Sequence, residues 1–164
     1  MHKFAHRVFV YVSSQHLNLA GGIGTTVRAF LNLAKEQSWI VDIILDRQPR
    51  DLIVPVLDLV ASNVNFWTPE HPLDYALHNK RSMHNDRLNT SKIVNFQEAQ
   101  MRALGKCLPE MLIVHTADAL ASVVLSGLYT QVPCVYYTHV MTDWGNTTYH
   151  PSYLSTQRLL MQSP

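Results

Sequence analysis

Four short runs of Val, Ile, Leu and Tyr constrain the fold more than anything else in the sequence. They are RVFVYVS at residues 7–13, IVDIILD at 40–46, MLIVH at 111–115 and CVYYT at 134–138. Each is mostly apolar on both alternations, and strands that hide both faces belong in a parallel sheet covered on each side. A weaker fifth run, VNFW at 64–67, lies between the second and third. Between the runs the apolar period becomes helical. Residues 23–37 place Ile23, Val27, Phe30, Leu31 and Ala34 on one stripe and Arg28, Asn32, Lys35 and Glu36 largely on the other. Residues 52–61 repeat the period more weakly, 91–106 open at Ser91 as a capping residue, and 117–129 are apolar nearly all round. That alternation predicts an α/β fold with a doubly wound, mainly parallel Rossmann-like sheet.

A chain of 164 residues is the size of one domain, so residues 1–164 are read as a single unit. Within it, residues 68–91 turn polar and carry His78, Lys80, Arg81, His84 and Arg87, which marks a surface excursion that is either functional or mobile. Residues 151–161 can start a helix at Pro151 just before the sequence ends. A doubly wound sheet has closing elements beyond its fifth strand, so the chain is expected to be one half of something larger. No apolar run is long enough to span a membrane, and the N-terminal MHKFAHRVFVYV reads as a strand rather than a signal peptide. The net charge of +1 gives no global field for nucleic acid, although nine histidines add positive charge below neutral pH. Cys107 and Cys134 have no CxxC partner. They read as packed thiols in a reducing compartment, and the cytoplasm is the expected location.

In a doubly wound sheet the loops after the strands converge on one edge, where ligands collect. Three loops reach it here: SSQHLNLAGGIGTT at 13–26, HTADA at 115–119 and THVMTDWGNTTYH at 138–150. Gly21 and Gly22 precede the first long helix and Gly24 lies in its first turn, where a missing Cβ lets a phosphate approach free N–H groups. The spacing is neither G-x-G-x-x-G nor GxxxxGK[ST], and close helix packing explains these glycines as well as a ligand does. His115, Thr116 and Asp118 leave a buried strand for a helix. Thr116 can cap that helix and Asp118 complement its positive end, or the group can face a cleft. His139 and Asp143 hold the matching place one strand later, a histidine suited to acid–base work or to hydrogen bonding a sugar, with a carboxylate to orient it. There is no HExxH, no CxxC and no facial His/Asp spacing, so no metal site is expected. The cluster from His78 to Arg87 reads as a solvated loop or as a contact for phosphates, and Trp67 and Trp144 as core, lid or stacking residues.

The stretches VFVYVSS, LAGGIGTTVRAFLNLAKEQSWIVDIILD, EMLIVHTADALASVVLSGL and VPCVYYTHVMTD, in that order, resemble the N-terminal domain of GT-B-fold glycosyltransferases of the retaining, family-4-like branch. The resemblance covers roughly residues 7–143. It implies two Rossmann-like domains facing each other across a cleft, the N-terminal one taking the acceptor and the C-terminal one, absent from this sequence, holding most of a nucleotide-sugar donor. Carried over by position, Gly21 and Gly22 belong to the loop whose backbone approaches the donor diphosphate, with Gly24 in the helical turn that follows as a further candidate for the same ligand. His115 and Asp118 form the polar edge of the cleft, and His139, with Asp143 four residues on, lies near the transferred sugar. The family transfers a sugar to an acceptor hydroxyl with retention, stabilises the leaving diphosphate electrostatically, and usually needs no metal or other cofactor.

Two functions follow as expectations. One is the acceptor-side domain of a glycosyltransferase, inactive without a donor-binding domain in the same or another chain, with an acceptor that the basic loop tilts towards phosphate-bearing molecules. The other is a non-catalytic Rossmann-like module that binds a nucleotide or phosphorylated ligand. A structural or interaction role would rest on the polar excursion alone.

Overall fold

In the computed structural model, residues 6–18, 22–48, 63–74 and 88–137 are described. Five strands form one sheet: β1 (Arg7–Tyr11), β2 (Ile40–Ile44), β3 (Val64–Trp67), β4 (Met111–Val114) and β5 (Cys134–Tyr136). Their order is β3-β2-β1-β4-β5 and every pairing is parallel. Four α-helices accompany them among the described residues: α1 (Ser14–Asn18), α2 (Gly22–Glu36), α3 (Thr90–Leu104) and α4 (Ala117–Leu125). The expected helix at 52–61 lies outside the described residues.

Strand alternation sorts the core into two layers. Phe9, Tyr11, Ile44, Leu112 and Val114 pack against Phe96, Ala99 and Ala103 of α3 and Ala119, Leu120 and Val123 of α4. Val8, Val10, Val41, Ile43 and Ile113 point the other way, onto Leu17 of α1 and Val27, Leu31 and Ala34 of α2. Each of the larger side chains contributes about 1.5–3 kcal/mol by leaving water. The doubly covered sheet explains why the strand sequences show no polar face.

Local chemistry moves several boundaries. Helix α3 begins at Thr90 because Asn89 caps it, its side chain accepting the Lys92 N–H at 3.1 Å, so Ser91 lies inside the first turn rather than at the cap. The expected helix at 117–129 is two pieces. Gly127, at φ 70°, adopts the left-handed conformation, and a single 3-10 turn, Leu128–Thr130, follows it. The loop after β1 holds one helical turn, α1, too short to show a period. No helix among the described residues is long and apolar enough to cross a membrane. The two cysteines are free and half-buried, and burial pushes the Cys134 thiol up to about 11.

The first part of the polar excursion is bound to α3. Arg102 Nη1 donates to the Thr68 carbonyl at 2.5 Å, Glu98 Oε1 accepts the Glu70 N–H at 2.8 Å, and Asn95 both accepts the Leu73 N–H at 2.8 Å and donates to the Leu73 carbonyl at 3.0 Å. As the strap advances from Thr68 to Leu73 its partners recede from Arg102 to Asn95, so the strap runs antiparallel to the helix. His78, Lys80, Arg81, His84 and Arg87 lie outside the described residues.

One charge interrupts the apolar sheet. Asp42, fully buried in β2, accepts from Arg7 Nε at 2.5 Å and Nη2 at 3.1 Å, from Asn65 Nδ2 at 3.1 Å and from Trp67 Nε1 at 2.6 Å. Its carboxylate therefore ties three adjacent strands together on the α3 face. Asp42→Ala would strand these donors; the expected loss is about 3 kcal/mol in urea denaturation, the low end for breaking a buried ion pair, because the Arg7 side chain keeps 21% exposure. A loss under about 0.5 kcal/mol, typical of a surface site, would show that the network carries no stability.

Candidate functional site at the carboxyl edge of the sheet

The parallel register brings every strand's carboxyl end to one edge. Each strand except β3 is extended there by one further backbone bond that holds the next residues in place: Val12 N–H to the Ile44 carbonyl at 3.2 Å, Leu45 N–H to the Trp67 carbonyl at 2.9 Å, His115 N–H to the Tyr11 carbonyl at 3.0 Å and Tyr137 N–H to the Val114 carbonyl at 2.9 Å. Helix α2 leaves β1 on one face and α4 leaves β4 on the other, so the order reverses between β1 and β4, the place where such sheets open a crevice. Ser13 and His115 stand at the ends of those two strands.

Of the glycines, Gly22 opens α2, is exposed, and a Cβ built there meets nothing within 4 Å among the described residues. Packing against those residues therefore does not require a glycine at 22. No acidic residue occupies the first turn of α2, so the positive end of the helix has no carboxylate of its own. Gly24 is buried, and its carbonyl accepts from Arg28 Nε at 3.3 Å. Gly21, His139, Asp143 and Trp144 lie outside the described residues.

His115 is buried, with its ring stacked on Tyr137 at a centroid distance of 5.4 Å and an interplanar angle of 19°. Thr116 occupies the N-cap position of α4 with extended backbone, φ −133° and ψ 151°, yet its side chain makes no capping bond, contrary to the capping expectation; its Oγ1 is buried with no hydrogen-bond partner among the described residues. Asp118, in the first turn, reaches to the neighbouring helix, its Oδ1 accepting the Asn89 N–H at 2.7 Å. Trp67, one of the two tryptophans considered for stacking on a ligand, packs in the core and donates to Asp42.

The edge also holds residues that the sequence reading passed over. Asp46, fully buried, follows β2 and reaches across to the loop after β1, where Oδ2 accepts from Ser13 Oγ at 3.2 Å and Oδ1 from the Ser14 N–H at 2.7 Å. Lys92, 5% exposed, comes from the first turn of α3. Both are electrostatic neighbours of Asp118. Burial raises the Asp118 carboxyl above the ordinary aspartate range, the Asn89 N–H and the Lys92 ammonium pull it back, and the Asp46 carboxylate pushes it further up. The available signal was the position of Asp46 as the acid that closes the second apolar run. No group of three or more His, Cys, Asp or Glu able to hold a metal occurs among the described residues.

Because the Asp118 carboxyl is raised in the folded state, that state holds the proton more tightly than the unfolded chain does. The stability this provides is present below the unfolded carboxyl value and is lost as pH rises through the folded one. Asp118→Asn keeps an acceptor oxygen and removes the charge. The expected outcome is a higher urea midpoint than wild type at pH 7 and an advantage that shrinks on acidification to pH 4; an advantage that grows with acidification would contradict it.

The sequence matches no family model and none of the curated proteins. In fold, the chain is similar to the apo structure of UGT2 from Phytolacca americana, a GT-B-type glycosyltransferase, with a TM-score of 0.55 at 13% sequence identity. The match covers 81% of this chain and 29% of that one, so the chain spans less than a third of its neighbour's length. The five-stranded parallel sheet with flanking helices is an α/β, Rossmann-like fold, and it is shared with part of a glycosyltransferase.

Proposed function

We propose that this chain is the acceptor-side domain of a glycosyltransferase that moves a sugar from a nucleotide-sugar donor to an acceptor hydroxyl with retention of configuration. The observation that carries the reading is the likeness in fold to UGT2, supported by an open glycine at the N-terminus of the helix that leaves β1. In this reading the N–H groups of Gly21, Gly22 and Gly24 approach the donor diphosphate, where the positive end of α2 favours negative charge. The bond between the anomeric carbon and the diphosphate oxygen breaks, the acceptor oxygen attacks from the same face while its proton passes to the leaving diphosphate, and the charge developing there is stabilised electrostatically. His139 hydrogen-bonds the transferred sugar with Asp143 beside it, while His115 and Asp118 form the polar edge of the cleft.

No metal or other cofactor is invoked. A second, C-terminal domain in the same or another chain supplies most of the donor site, the acceptor carries phosphate, and the protein works in the cytoplasm. A second reading is a Rossmann-like module that binds a nucleotide or phosphorylated ligand without transferring anything, which the exposed glycine at the start of α2 serves equally well.

Gly22 provides a clean test, since Gly22→Ala places its Cβ in open space and leaves packing intact. Binding of UDP-, GDP- and ADP-glucose is measured by calorimetry, and nucleoside diphosphate release in a separate assay containing a donor domain. The expected result is binding of one of the three that weakens about tenfold in Gly22→Ala, equivalent to about 1.4 kcal/mol, and release that is lost in His139→Ala. Binding without release in any combination supports the binding module. Absence of binding to all three by the chain alone would overturn the reading as a nucleotide-sugar-binding module, and absence of release with a donor domain present would overturn the transfer reading.

A further inference from the structure

Asn89 stands immediately before α3, at the described end of the polar excursion. Three backbone and side-chain groups of Asn89 are engaged at once. Its N–H donates to Asp118 Oδ1 at 2.7 Å, its side-chain oxygen accepts the Lys92 N–H at 3.1 Å, and its carbonyl accepts the Ile93 N–H at 3.0 Å. The last two belong to the start of α3 itself. The first crosses to α4, so a single carboxyl oxygen joins the N-termini of the two helices that cover one face of the sheet.

The surroundings of Asp118 separate what its oxygen does from what its charge does. The Lys92 ammonium, on α3, favours the charge, whereas the Asp46 carboxylate beyond β2 and the burial of the group oppose it. The Asn89 N–H also favours the charged form, but the bond does not need the charge, since a carboxylate, a carboxylic acid and a carboxamide all offer an acceptor oxygen there. We propose that Asp118 is a positioning residue that clasps α3 to α4 through its acceptor oxygen, without needing its negative charge, and so fixes the start of α3 at the carboxyl edge. The clasp stands whether or not the domain takes part in glycosyl transfer, since it needs only the two helix starts and the Asn89 N–H.

Amide hydrogen exchange tests it directly. The Asn89, Lys92 and Ile93 amides are followed by NMR at one pH in wild type, Asp118→Asn and Asp118→Ala, with urea midpoints measured in parallel to separate local opening from global unfolding. The expected result is a rise of at least about tenfold in Asn89 exchange in Asp118→Ala, more than its change in global stability accounts for, and a rate within about threefold of wild type in Asp118→Asn. Unchanged Asn89 exchange in Asp118→Ala overturns the proposal, as does equal loss of protection in both variants, which would assign the effect to the charge. If Asp118→Ala fails to fold, Asp118→Asn decides alone: retained protection supports the clasp and lost protection overturns it.

Discussion

Everything distinctive about this domain depends on the strands being parallel. A parallel strand cannot be reached by a tight turn, so each pairing needs a crossover that covers the sheet. Here α1 and α2 take one face and α3 and α4 the other. With both faces occupied, the polar groups that the fold retains have few places to go, and they gather where the strands end. Ser13, Asp46, Lys92, His115 and Asp118 are all buried or nearly so at that edge, although they come from four separate stretches of chain.

The two acids of the second strand region show how position decides role. Asp42 and Asp46 are four residues apart and both fully buried. Asp42 sits mid-strand, faces α3, and is satisfied by Arg7 and by two donors from β3, so its charge is consumed within the sheet. Asp46 lies beyond the ladder and turns to the loop after β1, holding the first residues of the segment that leads into Gly22 and α2. One carboxylate locks three strands together; the other shapes the approach to the helix start that the glycosyl-transfer reading uses.

Much of the fold was legible because each strand is short, apolar and doubly covered, so composition alone marked it. The edge strand β3 gave the weakest signal, since Asn65 is exposed and interrupts the run. Helix ends were harder: the left-handed Gly127 and the capping Asn89 are single residues whose effect depends on backbone conformation. Least legible were the polar contacts. Asp42 finds Arg7 35 positions away, and Asn89 finds Asp118 29 positions away, separations at which no periodicity carries information. Gly22 could be singled out from its place before a helix, but only the open space around a Cβ built there shows that no described neighbour demands a glycine.

The central claim is that the carboxyl edge between β1 and β4 is a ligand cleft. Mapping amide shifts in ¹H–¹⁵N spectra during titration with UDP-glucose, and with GDP-glucose as a second ligand, tests it residue by residue. The expected result is saturable shifts concentrated on Ser13, Ser14, the Gly22–Arg28 turn of α2 and the His115–Asp118 turn of α4, with the opposite edge around Arg7, Trp39 and Glu110 unmoved. Shifts centred on that opposite edge, or spread evenly without saturation, would contradict it.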